Sequence, residues 1–123
     1  MNDLKSVPAV FMRGGTSKGL VFHKKNLPED KNTLSKYLLN IMGSPDIRQI
    51  NGMGSGTSVT SKVCIISKSS EKHIDIEYLF AQVEVDRQHV DYEPMCGNML
   101  AALGPFCIEE GLVNVKNNLT KVN

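Results

Sequence analysis

The fold is decided by the stretch at residues 94–113, PMCGNMLAALGPFCIEEGLV. Its apolar part, Met99–Val113, predicts a helix, although Gly104 and Pro105 interrupt the pattern and the proline predicts a kink. A helix this rich in alanine, leucine and phenylalanine must be covered on most sides, because its apolar surface would otherwise face water. The segments that precede it in the chain therefore have to supply the cover.

Those preceding segments are mostly strand-like. Val7–Met12 is apolar and is stopped by two glycines, and Leu20–Phe22 follows a polar loop, so the two predict an antiparallel hairpin. Further strands are predicted at Ser61–Ile66 and Ile74–Val85. In the last of these the apolar residues change face after Phe80, which predicts either a bulge or burial on both faces.

One amphipathic helix is predicted between these strands. Asp30 or Asn32 can cap its start, and Gly43 ends it. Its apolar positions recur at helical spacing, at Leu34, Leu38, Ile41 and Met42. The order of elements predicts an α+β fold in which an antiparallel sheet is wrapped around the central helix Met99–Val113.

Length and composition limit the classes of function. The chain has 123 residues, 41% of them hydrophobic and 22% charged, and a formal net charge of +1, so it shows no bias towards nucleic acid or disorder. No apolar run approaches the ~20 residues that span a bilayer, which predicts no membrane role. Three cysteines without metal-ligand spacing predict free thiols, a reducing cytoplasm and no bound metal.

The first candidate site is MRGGTSKG, residues 12–19. Its two glycines let backbone amides approach an anion, and its arginine offers a fork that suits a carboxylate. Nucleotide binding is not predicted, because the Walker spacing is absent and a strand follows. A plain hairpin turn with solvated charges explains the same residues equally well. The substrate-binding candidates here are Arg13, Gly14, Gly15, Thr16, Ser17 and Lys18.

The second candidate is the loop Gly52–Ser58, which leads towards the strand at Ser61–Ile66. Small residues permit close approach of a ligand, and Ser58 is the substrate-binding candidate. They equally suit a mobile surface loop, and the spacing does not fit a dinucleotide signature. Taken alone, the loop is more typical of flexibility than of binding.

The third candidate is Met95–Asn98 at the predicted helix start. This position favours the thiolate of Cys96, because the helix dipole and the free amides stabilise negative charge there. The amides of Gly97 and Asn98 could also hold a substrate carboxylate. A small buried cysteine is the alternative, and Cys64 and Cys107 are assigned to the core on that basis.

Two of these stretches also resemble motifs of known families. Met95–Asn98, Met-Cys-Gly-Asn, resembles the first catalytic-cysteine motif of the diaminopimelate epimerases, which implies their fold. The resemblance is closer to the PrpF family, whose Met-Arg-Gly-Gly-Thr-Ser-Lys-Gly pattern stands at Met12–Gly19. Thr60–Lys62 and Asp91–Glu93 extend it, and it covers about Val7–Val113.

The PrpF resemblance implies a cofactor-free isomerase that moves a proton on a small unsaturated di- or tricarboxylate such as 2-methylaconitate, of the methylcitrate cycle, or oxalomesaconate. Lys62 and Cys96 match the two catalytic positions of that family. Such chemistry requires an acid, a base and stabilisation of an enolate-like state. It implies a small polycarboxylate as partner, with no nucleic acid, membrane or metal, and the residues do not distinguish which polycarboxylate.

Family members contain two pseudo-symmetric domains, so residues 1–123 are expected to be a partial N-terminal domain without the second one. By itself the chain is expected to be marginally stable, to form homo-oligomers or aggregates through exposed apolar surface, and to lack activity. Two other functions stay open: a non-catalytic carboxylate-binding or assembly module, and redox sensing by Cys96.

Overall fold

The computed structural model describes residues 6–123. In this range the chain forms two α-helices and one five-stranded sheet, with short 3-10 turns at Lys24–Asn26 and Ser58–Thr60. None of the helices in this range is long and apolar enough to cross a membrane. The elements in chain order are β1 (Val10–Gly14), β2 (Ser17–His23), α1 (Lys31–Met42), β3 (Lys62–Lys68), β4 (Ile76–Val83), β5 (Val90–Asp91) and α2 (Gly97–Glu109).

The sheet is mixed, which corrects the prediction of an antiparallel sheet. Its strands follow chain order, and three of the four pairings are antiparallel, but β2 and β3 run parallel. The reason is the long connection between these two strands, which carries α1. Parallel neighbours need such a crossover, whereas short turns join antiparallel ones.

The two helices cover opposite faces of the sheet. The face that packs on α1, called here the α1 face, includes Leu20, Phe22, Val63, Ile65, Ala81 and Val83. The face that packs on α2, called the α2 face, includes Val21, Cys64, Ile66 and Phe80. Within residues 6–123 the sheet is therefore sandwiched between two helices, and α2 covers one face of it instead of being enclosed.

Burial on both faces accounts for the hydrophobic pattern of β4. Its register with β3 is continuous from Ile76 to Gln82, so the bulge that the sequence allowed is absent from this pairing. Phe80 packs on the α2 face, while Ala81 and Val83 pack on the α1 face. Both faces of the strand consequently need apolar side chains.

The predicted bounds of α1 are confirmed. Asp30 is the N-cap, and its carboxylate accepts hydrogen bonds from the backbone N–H and the hydroxyl of Thr33. Gly43 ends the helix in the left-handed conformation, with φ 89°. The hairpin of β1 and β2 is also confirmed, although its connection is only Gly15 and Thr16, because the polar residues after it already belong to β2.

Candidate active site

The structure brings Lys62 and Cys96 together. Lys62 is the first residue of β3, and Cys96 is the N-cap of α2. The Nζ atom of Lys62 donates a hydrogen bond to the Sγ atom of Cys96 at 3.3 Å, and it also lies 5.4 Å from the centre of the Phe80 ring. Residues 34 positions apart thus form one amine–thiol pair at the edge of the α2 face.

The environment of Cys96 favours its thiolate. The side chain is only 7% exposed, and this burial by itself opposes ionisation. The backbone N–H of Met99 and the Lys62 ammonium both stabilise the negative sulfur, and together they hold the pKa of Cys96 below the value of an ordinary thiol. The position at a helix N-terminus acts in the same direction. These interactions outweigh the effect of burial on the pKa of Cys96.

The other two cysteines lie in the core, as the sequence predicts. Both are fully buried on the α2 side of the sheet. Burial raises the pKa of Cys64 to about 12, and burial together with Asp75 raises the pKa of Cys107. Neither thiol is suited to proton transfer near neutral pH.

The glycine turn of the β1–β2 hairpin packs directly on the start of α2. A Cβ atom on Gly14 would lie 2.5 Å from the carbonyl oxygen of Asn98, so only glycine allows this approach. The N–H of Thr16 is 3.5 Å from Oδ1 of Asn98. The two motifs that the sequence analysis singled out separately, at residues 12–19 and 95–98, are in contact.

Ser17 is the most unusual polar residue of this region. It is 1% exposed, and its hydroxyl oxygen has no hydrogen-bond partner within residues 6–123. Strand alternation puts its side chain on the α2 face with Gly19 and Val21. An unpaired buried hydroxyl costs free energy, so its presence beside the start of α2 is a signal for a binding group.

Arg13 and Lys18 do not join the amine–thiol pair. They are paired across the β1–β2 register, and both side chains are exposed. Their neighbours Met12 and Gly19 lie on the α2 face, so alternation directs Arg13 and Lys18 to the α1 face. Arg13 instead donates from Nε to the carbonyl of Gly15 at 2.9 Å.

The glycine-rich loop is held in place, which differs from the flexibility that its composition indicated. Gln49 is 1% exposed and accepts a hydrogen bond from the N–H of Gly56, while its Nε2 donates to the hydroxyl of Ser61. Ser58 is exposed, and its backbone carbonyl accepts a hydrogen bond from Gln82, not from Lys62.

Gln82 is the residue near the site that sequence reasoning missed. It stands opposite Lys62 in the β3–β4 register. Alternation from Phe80 places its side chain on the α2 face, the face that Lys62 shares with Cys64. The sequence shows that Gln82 is two residues after Phe80 and so lies on the same face of the strand. Only the strand register shows that it stands opposite Lys62.

Cys96 is expected to be alkylated by iodoacetamide with a pH midpoint below that of an ordinary thiol, and Lys62→Met is expected to raise that midpoint. The thiolate is the reacting species, so the rate follows its population. Cys64 and Tyr78, which face Cys96 from the sheet, both have raised pKa values and stay neutral across this range. Mass spectrometry of quenched samples locates the label.

The matched control is Lys68→Met, which removes a charge from the exposed far end of β3. It is expected to leave the midpoint unchanged. Labelling of Cys64 or Cys107 ahead of Cys96 would contradict the assignment, as would a Cys96 midpoint at the ordinary thiol value.

No three His, Cys, Asp or Glu side chains in the described part of the chain are grouped so that they could hold a metal ion. The amine and thiol themselves can exchange a proton between nitrogen and sulfur at the start of α2. The arrangement fits an anionic substrate, because helix N-termini attract negative charge.

Comparisons with known proteins place the chain in one family. The family model described as "PrpF protein" matches residues 4–123. The chain is 49% identical to the (4E)-oxalomesaconate Delta-isomerase of Novosphingobium sp. (strain KA1), over 98% of this chain and 34% of the relative. It is 46% identical to the 2-methyl-aconitate isomerase of Cupriavidus necator, over 88% of this chain and 29% of the relative.

A solved structure has the same fold over this range. The crystal structure of methylitaconate-delta-isomerase matches with a TM-score of 0.91 and 43% identity, covering 94% of this chain and 30% of that chain. The chain thus spans about a third of the length of the relatives it matches.

Proposed function

Because this chain belongs to the PrpF family, we propose that the protein carrying it is an isomerase that transfers a proton on a small unsaturated polycarboxylate. The observation that carries the proposal is the 3.3 Å hydrogen bond between Lys62 Nζ and Cys96 Sγ at the start of α2. Relatives named as isomerases of oxalomesaconate, methyl-aconitate and methylitaconate support the substrate class.

In the proposed mechanism the Cys96 thiolate is the base and the Lys62 ammonium is the acid. The thiolate removes a C–H proton from a carbon that is activated by a neighbouring double bond and carboxylate. The electron pair of that bond delocalises into an enolate-like system, and the double bond shifts as the ammonium returns a proton to another carbon. The thiol then passes its proton to the amine, 3.3 Å away, which restores the pair. No atom or electron is gained or lost overall.

The start of α2 is the proposed carboxylate site. The amide of Gly97 can donate to a carboxylate oxygen and spread the charge of the enolate-like state, while the amide of Asn98, like that of Met99, helps to lower the pKa of Cys96. Gly97 has open space around it, since a Cβ atom there would meet nothing within 4 Å. The unpaired Ser17 hydroxyl is a further donor for the same group. Gly14, Gly15 and Thr16 support this site through their contact with Asn98.

We also propose that residues 1–123 form part of the first of two domains in a diaminopimelate-epimerase-like arrangement, with the substrate between the domains. The share of each relative that the chain spans supports this arrangement. The other groups that bind the polycarboxylate would then come from beyond these residues.

The proposal is tested with the protein at the length of its relatives, dissolved in heavy water with oxalomesaconate, 2-methylaconitate or methylitaconate. Proton NMR should show one of these acids isomerising and gaining deuterium at the carbon that accepts the proton, because thiol and ammonium protons exchange with solvent. An acid that binds and neither isomerises nor exchanges would instead support a carboxylate-binding module.

A further inference from the structure

We propose that Gln49 and Gln82 are positioning residues of this site: they clamp Ser61 from opposite faces of the sheet and so aim Lys62 at Cys96. The inference rests on the proposed role of the amine–thiol pair, and neither glutamine belongs to the motifs that define the family resemblance. Both glutamines bind Ser61, the residue immediately before Lys62.

Ser61 is the residue that connects the 3-10 turn to β3. It follows the 3-10 turn Ser58–Thr60, and its own φ of −116° and ψ of 58° are neither helical nor extended. It is completely buried. Because side chains alternate along a strand, the conformation of this entry residue decides whether Lys62 faces α2 or turns away from it.

Gln82 holds this entry from the α2 face. Its Nε2 donates to the carbonyl of Ser61 at 3.0 Å and to the carbonyl of Ser58 at 2.9 Å. Both N–H groups of one amide are thereby used, one at the first residue of the 3-10 turn and one at the residue after its end. Gln82 is also the cross-strand partner of Lys62 in the β3–β4 register, so the two side chains lie next to each other on the sheet.

Gln49 holds Ser61 from the other side. Its Nε2 donates to the Ser61 hydroxyl at 2.7 Å, and that hydroxyl donates to the carbonyl of Val83 at 2.6 Å. Nε2 also donates to the hydroxyl of Ser44 at 3.2 Å. The buried amide of Gln49 thus donates twice through Nε2 and accepts once through Oε1, an arrangement that rigidifies its surroundings.

The two glutamines thus act on the backbone and the side chain of the same residue. The backbone of β4 contacts this region through the N–H of Val83, which donates to the carbonyl of Ser61, the residue after the turn Ser58–Thr60. The Gln82 bond to Ser58 is what ties the far end of that turn to the sheet. The long, flexible side chain of Lys62 loses conformational entropy when it is held against Cys96. A fixed backbone at Ser61 lowers that loss.

The test is the iodoacetamide titration of Cys96 in the protein at the length of its relatives. Gln82→Met keeps the volume of the side chain and removes both donors. We expect it to raise the Cys96 pKa by about half a unit or more, seen as a roughly threefold fall in alkylation rate below the midpoint. Gln49→Met should act in the same direction, and Gln88→Met, at an exposed position between β4 and β5, should have no effect.

The double variant Lys62→Met/Gln82→Met separates positioning from a purely structural role. If Gln82 acts through Lys62, the Cys96 alkylation midpoint of the double variant should equal that of Lys62→Met alone. Circular dichroism verifies that each variant is folded, and Gln82→Met keeps the test available if Gln49→Met does not fold. If folded Gln82→Met has the same Cys96 alkylation midpoint as the wild type, the positioning role of Gln82 is wrong, but the amine–thiol pair is unaffected. A wild-type midpoint in Lys62→Met would overturn both.

Discussion

Lys62→Met and Cys96→Ser are each expected to lower isomerase turnover by about 10²–10⁴-fold in the protein at the length of its relatives. Methionine keeps much of the lysine side chain but cannot return a proton, and serine replaces an acidic thiol by a hydroxyl that does not ionise near neutral pH. Because both changes affect proton transfer more than binding, the loss should appear in kcat with KM little altered. Steady-state rates with the accepted acid measure it.

Two controls accompany these variants. Lys68→Met removes a charge from the same strand away from the site, and Cys107→Ala removes a thiol buried in the core. Both should keep most of the turnover, although the second variant loses stability. Retention of more than about a tenth of the wild-type kcat in either Lys62→Met or Cys96→Ser would exclude that residue as a proton carrier.

Gly14→Ala is expected to lower the free energy of unfolding by about 1–3 kcal/mol and to disrupt the site. The added Cβ would lie 2.5 Å from the Asn98 carbonyl oxygen and 2.8 Å from the Met99 Cα atom. Both contacts are with backbone, so β1 and the start of α2 must move apart. That movement displaces Cys96, the residue that caps α2. Urea unfolding followed by circular dichroism measures the change.

The matched control is Gly104→Ala inside α2. A Cβ atom at Gly104 would meet nothing within 4 Å, and alanine is the better helix former, so a gain of about 0.5–1 kcal/mol is expected. Equal stability of the two variants would show that the contact between the hairpin and α2 is looser than the structure indicates.

Local features of the fold were predictable from the sequence. The start and end of α1 follow from Asp30 and Gly43, because a cap acts on N–H and carbonyl groups within a few residues. The β1–β2 hairpin and the burial of Cys64 and Cys107 follow from equally local patterns. The direction of β3 relative to β2 did not, since it depends on the path of the whole connection through α1.

The site also combines features that the sequence predicted with features that only the structure shows. Lys62 and Cys96 were singled out by the resemblance of their motifs, and the structure places Lys62 Nζ 3.3 Å from Cys96 Sγ. Their catalytic role stays a prediction. Arg13 and Lys18 stand in an equally distinctive motif, yet strand alternation turns their side chains to the other face. Gln49 and Gln82 stand in no motif, and hydrogen bonds to residues distant in sequence give them their place.

The sequence by itself therefore determined most of the elements and the caps of α1, because these depend on neighbours within one turn of helix or a few strand positions. It indicated Lys62 and Cys96 through the resemblance of their motifs to a known family. Only the tertiary structure decided which strands run parallel, which polar side chains share the α2 face and what holds Ser61. The physical reason is register. A shift of one residue in a strand pairing moves every side chain to the opposite face, and nothing short of the folded sheet specifies that pairing for the residues around Lys62.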